Sequence, residues 1–282
     1  DSTSDEHERE LLEKVRASFL SQAPGEITRI RELCLAYVKS APTPAGRNNL
    51  TKLYQRVHFV SARAGLARCY RVDMLASAFE AMLSEMVAKP ATMTASILQT
   101  IAQATDCLGR LLTIAADDSA ATVLEAKVLV VDDDEVCNYF MTTTLRRMGL
   151  EVDGVKDPQK ALQMLWAERY DVILLDINMP GMDGFDVCKR LRCLPQQKEV
   201  PVIFVTADGK FEKRVQSVLS GGNGFITKPV IPMELALKTM TFLLDAKLKR
   251  SGRIPASAGP AVVDMPDGLL QPLVSERAGN SD

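Results

Sequence analysis

The hydrophobic period changes once along the chain. Up to about residue 114, apolar residues recur at the three- and four-residue spacing of amphipathic helices. Leu11, Leu12, Val15, Phe19 and Leu20 form one such set, and Ile27, Ile30, Leu33 and Leu35 form another beyond Pro24-Gly25. Leu50, Leu53, Val57, Val60 and Ala64 follow the loop-forming stretch 40–46, and Met74, Leu75, Ala78, Phe79, Met82 and Leu83 mark a fourth helix. Beyond Pro90, Thr92 or Thr94 can cap a fifth helix carrying Ile97, Ile101, Leu108 and Leu111. Short connections favour antiparallel neighbours, so residues 1–114 are expected to form an all-α antiparallel helical bundle.

Residues 115–126 lose the helical period and read as a linker. From Lys127 short apolar runs near 128–131, 151–155, 172–175, 202–205 and 224–227 alternate with helical stretches near 135–148, 158–169, 184–192, 209–220 and 232–246. Such alternation predicts a doubly wound parallel sheet over 127–246. Ligands on these sheets bind outside the carboxyl ends of the strands. Residues 247–282, basic at first and then rich in Pro, Ala, Gly and Asp, are expected to be a flexible tail, with one apolar island at 268–274.

Composition fits this reading. The chain has 282 residues, 46% hydrophobic and 25% charged, enough to bury a real core. Its formal net charge of -2 argues against broad electrostatic binding to nucleic acid or anionic membrane. No run reaches the roughly 20 apolar residues of a membrane-spanning helix. The polar start reads against a secretion signal, and the missing initiator Met reads as processing or as a cut from something longer. The six cysteines form no Cys-x-x-Cys pair and are expected to be reduced, packed thiols of a cytoplasmic protein.

The candidate chemistry sits where the apolar runs stop. Asp132 and Asp133 follow Val128-Leu129-Val130-Val131, and Asp176 ends Val172-Ile173-Leu174-Leu175. Thr206 ends Val202-Ile203-Phe204-Val205, and Lys228 follows Phe225-Ile226-Thr227 and precedes Pro229. Parallel neighbouring strands would bring all five side chains to one sheet edge. Two carboxylates about 4 Å apart repel by roughly 4 kcal/mol at an effective dielectric near 20. Three together call for a cation, and all-oxygen ligands favour Mg2+. Asp176 could then attack phosphorus as a nucleophile, with Thr206 and Lys228 contacting the phosphoryl oxygens.

Residues 127–246 resemble the receiver domain of two-component response regulators. The match lies in Val130-Val131-Asp132-Asp133-Asp134, in Asp171 to Gly184 with Asp176-Ile177-Asn178-Met179-Pro180-Gly181, in Pro201 to Ala207, and in Gly224 to Pro229. The resemblance implies a flavodoxin-like α/β fold with strand order 2-1-3-4-5. It implies Asp176 as phosphoacceptor and Mg2+ held by Asp132, Asp133, Asp176 and the Asn178 carbonyl, Asp132 largely through water. It places Thr206, Ala207 and Lys228 at the phosphoryl group and Phe225 at the switch aromatic. In the family the signal remodels the face of the fourth helix, fifth strand and fifth helix. Asn178 and Asp208 stand where the family tunes acyl-phosphate lifetime, which is expected to be of the order of minutes.

In the helical half, His58 lies beside the apolar stripe of its helix, with Ser61, Ala62 and Gly65 on the same face. Small neighbours leave room for another protein to approach an exposed imidazole. Residues 8–114 resemble a histidine phosphotransfer domain, through His58-Phe59-Val60-Ser61-Ala62-Arg63-Ala64-Gly65 and the helix with Leu75, Phe79 and Leu83. The resemblance implies His58 as a second phosphoacceptor. The family's Lys and Gly at plus three and plus four are Ser61 and Ala62 here. A histidine-kinase dimerisation half is not expected, since His58 lacks the acidic neighbour and downstream Pro.

The expected function is two-component phosphorelay signalling, not catalysis of a metabolic reaction. Asp176 would accept phosphoryl with Mg2+, and His58 would carry or exchange it. In the alternative, the bundle is a non-transferring interaction or dimerisation module controlled by Asp176. Expected partners are a sensor histidine kinase or hybrid kinase and a downstream phosphorelay protein. With no helix-turn-helix after residue 246, neither nucleic acid nor membrane is expected. The oligomeric state is left open.

Overall fold

The computed structural model describes residues 2–40, 43–89, 94–115, 124–207 and 220–255. All but the last residue of the expected helix over 209–220, Asp208, Pro90, Thr92, most of the 115–126 linker and the tail from residue 256 with its apolar island lie outside them.

Helix α1 spans Ser2–Ser40, α2 Pro44–Leu66, α3 Tyr70–Ala88 and α4 Ala95–Ile114. Two helices were expected where α1 runs unbroken, with Pro24 inside it. An internal proline costs about 3 kcal/mol. Ala23, Ile27, Ile30 and Cys34 are buried at helical spacing across the expected break, so continuing the helix buries more than a turn would. The Thr28 hydroxyl donates to the Pro24 carbonyl at 2.9 Å. Thr43 caps α2 by accepting from the Gly46 amide, and Thr94 caps α4 by accepting from Ile97, each at 3.2 Å. The helices close a ring in which α1 packs on α2 and α4, and α3 packs on the same two.

Strands β1 (Lys127–Val131), β2 (Glu151–Val155), β3 (Val172–Asp176), β4 (Val202–Thr206) and β5 (Gly224–Thr227) form one parallel sheet in the order β2-β1-β3-β4-β5. This is the flavodoxin-like order expected from the resemblance. Register aligns Leu175 with Phe204, and Phe204 with Phe225. Every residue of β3 and β4 is buried, which is why their sequences read as unbroken apolar runs. Helices α5 (Glu135–Arg146), α6 (Pro158–Ala167), α7 (Gly184–Arg192) and α8 (Pro232–Arg250) flank the sheet. One face packs Val128, Val130, Leu174 and Ile203 against α5 and α8; the other packs Leu129, Val131, Leu175 and Phe204 against α6 and α7.

Helix α8 continues through Arg250, four residues into the stretch expected to be tail. The cause is a second buried stripe. Leu235, Phe242 and Leu243 face the sheet, while Leu237, Met240, Leu244 and Leu248 belong to the core of the bundle. The two halves of the chain therefore share α8, which lies on α3 and α4. A helix apolar on opposite sides is a helix buried on both. Among the described residues, no helix is long and apolar enough to cross a membrane.

Candidate functional site

The sheet brings the predicted carboxylates together. Asp132 directly follows β1 and Asp176 ends β3, its central neighbour. Asp132, Asp133 and Asp176 each offer an oxygen within 4.8 Å of the others. Asp132 and Asp176 are buried, whereas Asp133 is exposed at the mouth. Lys228, just past β5, reaches across: its Nζ lies 2.9 Å from Asp132 Oδ2 and 3.1 Å from Asp176 Oδ2. Its backbone amide donates to the Thr206 carbonyl at 2.7 Å, tying the ends of β4 and β5 together. The following peptide, Lys228–Pro229, is cis. Thr206 is buried at the end of β4, and Ala207 beside it is exposed. Phe225, on β5, is buried.

Local structure holds these groups in place. The Asp134 carboxylate accepts from the amides of Val136 and Cys137 at 2.8 and 2.9 Å, capping α5 and setting the turn that carries Asp132 and Asp133. These amides, that of Cys137 foremost, hold the Asp134 carboxyl below its ordinary range. The Asn138 amide bridges the carbonyls of Asp132 and Val155 at 3.1 and 3.0 Å. Gly154 makes room for it, since a Cβ there would lie 2.4 Å from Asn138 Oδ1. On the other side, Gly184 opens α7 directly against β3: a Cβ would stand 2.2 Å from the Asp176 carbonyl oxygen. Neither Asn138 nor Gly154 carries a local sequence signal that marks it for this site.

Three positive charges would be needed to balance three carboxylates, and Lys228 supplies one. Burial, followed by the charge of Asp132, raises the Asp176 carboxyl above its usual range against the pull of Lys228 and the Asn178 amide. For Lys228, burial opposes the charge, but its bonds to Asp132 and the charges of Asp132 and Asp176 outweigh it and raise the ammonium. Asp176 Oδ1 is buried without a hydrogen bond of good geometry. A hard divalent cation fits this set: its donors are all oxygens, one is buried and unpartnered, and the local charge is negative. A cavity lined by Tyr170, Asp171, Pro201 and Arg250 lies at the amino ends of β3 and β4, opposite this chemistry.

His58 is on α2, with its side chain 59% exposed. Its Nδ1 lies 2.7 Å from Glu80 Oε1 of α3, and its ring stacks on Tyr54 with centroids 6.1 Å apart. Neither partner has a local signature in the sequence. An ionised carboxylate only accepts, so Nδ1 is the donor in this bond, and in the neutral imidazole that tautomer leaves the lone pair on Nε2. Ser61 is buried and bonded to Ser77 at 3.0 Å. The Arg63 guanidinium sits over the rings of Phe59 and Phe19, 5.2 and 5.9 Å from their centroids, and bonds Gln22.

A parallel sheet in this order, with buried carboxylates, a threonine and a lysine converging on its carboxyl edge, defines a receiver-type α/β domain. Residues 128–239 match the response regulator receiver domain family, and this part of the chain is a receiver domain of two-component signalling. The chain is 35% identical over 122 residues to the transcriptional regulatory protein ResD of Bacillus subtilis, covering 43% of this chain and 50% of ResD. The chain thus spans about half the length of that curated relative. Among solved structures, it is 36% identical to the chemotaxis response regulator CheY4 of Vibrio cholerae, covering 42% of this chain and 98% of that one, with a TM-score of 0.40. The receiver domain of sensor histidine kinase PA1611 from Pseudomonas aeruginosa, which has a magnesium ion coordinated in its active site cleft, is 27% identical, covering 43% of this chain and 98% of that one, with a TM-score of 0.40.

Proposed function

We propose that this chain is a phosphorelay protein with two phosphoacceptors, Asp176 in the receiver and His58 in the bundle. What carries the receiver half is the convergence of Asp132, Asp133, Asp176 and Lys228 on one sheet edge. Asp132, Asp133, Asp176 and the Asn178 carbonyl would hold Mg2+, which when bound neutralises charge on the phosphoryl oxygens. The Asp176 carboxylate oxygen attacks the phosphorus of a phosphohistidine donor. The O–P bond forms as the N–P bond breaks, and the electron pair returns to the imidazole nitrogen. Thr206, Ala207 and Lys228 would contact the transferred group, and the buried Phe225 would respond to it.

The His58–Glu80 pair supports the second acceptor. Glu80 fixes the tautomer and leaves an exposed Nε2 as nucleophile, the arrangement that a carboxylate gives any nucleophilic or basic imidazole. A sensor or hybrid histidine kinase in the cytoplasm is the proposed donor, and a second phosphorelay protein the proposed acceptor. ResD is named as a transcriptional regulator, so the expectation of no nucleic-acid partner gains nothing from such relatives.

A second reading is favoured by the surroundings of His58. Ser61 stands where a phosphotransfer bundle has a cation and is turned inward to Ser77, and Arg63 is engaged by Phe59, Phe19 and Gln22. On this reading the bundle transfers nothing and answers to Asp176. Phosphotransfer from a phosphorylated histidine donor into wild type, His58→Gln, Glu80→Gln and Asp176→Asn separates the two. Two phosphoacceptors predict alkali-stable label on His58, slowed roughly 10-fold or more by Glu80→Gln, and alkali-labile label on Asp176. Absence of alkali-stable label with normal labelling of Asp176 selects the second reading.

A further inference from the structure

The seam between bundle and receiver is polar in one narrow stripe and reaches the strand that ends at Lys228. On α4 the stripe is Ser96, Thr100, Cys107 and Arg110; on α8 it is Glu234, Lys238, Thr241 and Asp245. The Ser96 and Thr100 hydroxyls both lie within hydrogen-bond reach of Glu234 Oε1, the Cys107 thiol reaches the Thr241 carbonyl at 3.8 Å, and Arg110 grips Asp245 with Nε at 3.0 Å from Oδ1. Both sets ascend together, so α4 and α8 run side by side in the same direction. All these side chains but Arg110 are buried.

At its upper end this stripe touches β5. Strand β5 is the edge strand beside β4, so among the described residues its outer side has no strand partner. The Phe225 carbonyl there lies 2.9 Å from the Ser96 hydroxyl and accepts from the Lys238 ammonium. Lys238 also donates to Ser96 Oγ at 3.2 Å and sits 5.3 Å from the centre of the Phe225 ring. The Ser96 hydroxyl has one proton and two acceptors in reach, the Phe225 carbonyl and the Glu234 carboxylate. That gives the junction two discrete hydrogen-bonded states. Lys228 lies three residues beyond Phe225 on the same chain segment, roughly 10 Å away.

From these contacts we infer that the N-terminal bundle is itself the element that reads the charge on Asp176, through Lys228, β5 and the Ser96–Lys238 junction. The inference rests on the reading of Asp176 as phosphoacceptor. A phosphoryl group adds about -1.5 to -2 charge beside an ammonium now divided between Asp132 and Asp176. Lys228 re-aims toward it, and Lys228 is anchored by its own backbone to Thr206 and to the end of β5. A shift of that end moves the Phe225 carbonyl relative to two donors, one of which belongs to the bundle. Ser96 then exchanges one acceptor for the other, and the first turns of α4 respond. The coupling must be reciprocal: a change at Ser96 alters affinity at Asp176 by the same factor.

The test uses the full chain with Mg2+ and beryllofluoride, a non-transferable stand-in for the phosphoryl group. Bound beryllofluoride is read by fluorine NMR, and amide hydrogen exchange is followed over residues 94–104. The expected result is at least a threefold change in exchange there on binding, absent in Asp176→Asn. Ser96→Ala should shift beryllofluoride affinity at least threefold, whereas Ser21→Ala on the exposed side of α1 should not. Bound beryllofluoride with unchanged exchange in the wild-type α4 overturns the inference and leaves the phosphoacceptor reading standing. No bound fluorine signal in wild type overturns both.

Discussion

Lys228 Nζ lies 3.1 Å from Asp176 Oδ2 and shares itself with Asp132, so one ammonium faces two buried carboxylates and an exposed third. Asp176 is raised by burial and by Asp132, which means that the fold disfavours its charge. Asp176→Asn should therefore stabilise the protein without Mg2+, by about 1 kcal/mol, the ordinary scale of a single relieved interaction. Mg2+ should raise the melting temperature of wild type more than that of Asp176→Asn. Asp133→Ala should weaken Mg2+ at least roughly 10-fold by titration, the scale at which even outer partners of ligands count. An unchanged Mg2+ titration would remove Asp133 from the ligand set.

Gly184 stands where α7 meets the back of the site. A Cβ there would be 2.2 Å from the Asp176 carbonyl oxygen and 3.0 Å from its carbon, both backbone atoms that cannot rotate aside. Gly184→Ala should cost about 1–3 kcal/mol by urea denaturation. It should also depress phosphate incorporation, because the strand end carrying Asp176 must move. Wild-type stability and labelling in this variant would mean that α7 shifts freely.

Arg110 and Asp245 form a bidentate pair in the seam, with Asp245 almost wholly buried. Arg110→Ala leaves that carboxylate without its cation and should destabilise the chain by about 3–5 kcal/mol. Replacing both, as in Arg110→Met with Asp245→Leu, should recover most of the loss, since the penalty lies in the orphaned charge. Chemical denaturation of the three variants gives the comparison directly. Equal losses in single and double variants would count against it.

Lys238 offers a pH test. Burial lowers its ammonium from 10.5 to about 8, against the pull of Glu234. Between about 8 and 10.5 the unfolded chain holds a proton that the folded chain has released. Stability from this group therefore rises with pH across that window, by roughly 3 kcal/mol at most. Other groups titrate there too, so the measured quantity is the difference between wild type and Lys238→Met. That difference should move in favour of wild type from pH 7 to pH 10; a flat or falling difference contradicts the direction.

The strands and their functional ends were legible because both faces of the sheet are covered. Val172 to Leu175 and Val202 to Val205 could be apolar throughout, and a polar residue at their ends then stood out. The continuity of α1 was not legible, because Pro24 is a local signal for a break that the distant packing of Ala23, Ile27 and Ile30 overrides. Glu80 escaped notice because its link to His58 joins two helices with no local signature. Lys238 reads as a surface residue in sequence, yet it is buried by helices from the other half of the chain. One signal was present: Leu237, Met240, Leu244 and Leu248 give α8 a second apolar stripe that a free-standing α/β domain would have no use for.

That second stripe bears on how such a chain can be rearranged by evolution or by hand. Receivers are commonly treated as interchangeable parts, joined to their neighbours by a connecting segment. Here the join is a helix wall common to both rooms. A receiver transplanted from elsewhere would arrive with a last helix dressed for one side, leaving α3 and α4 of the bundle without the stripe they pack on. A junction cut between the two halves would therefore remove one wall from the bundle core or from the core of the sheet, according to which side keeps α8.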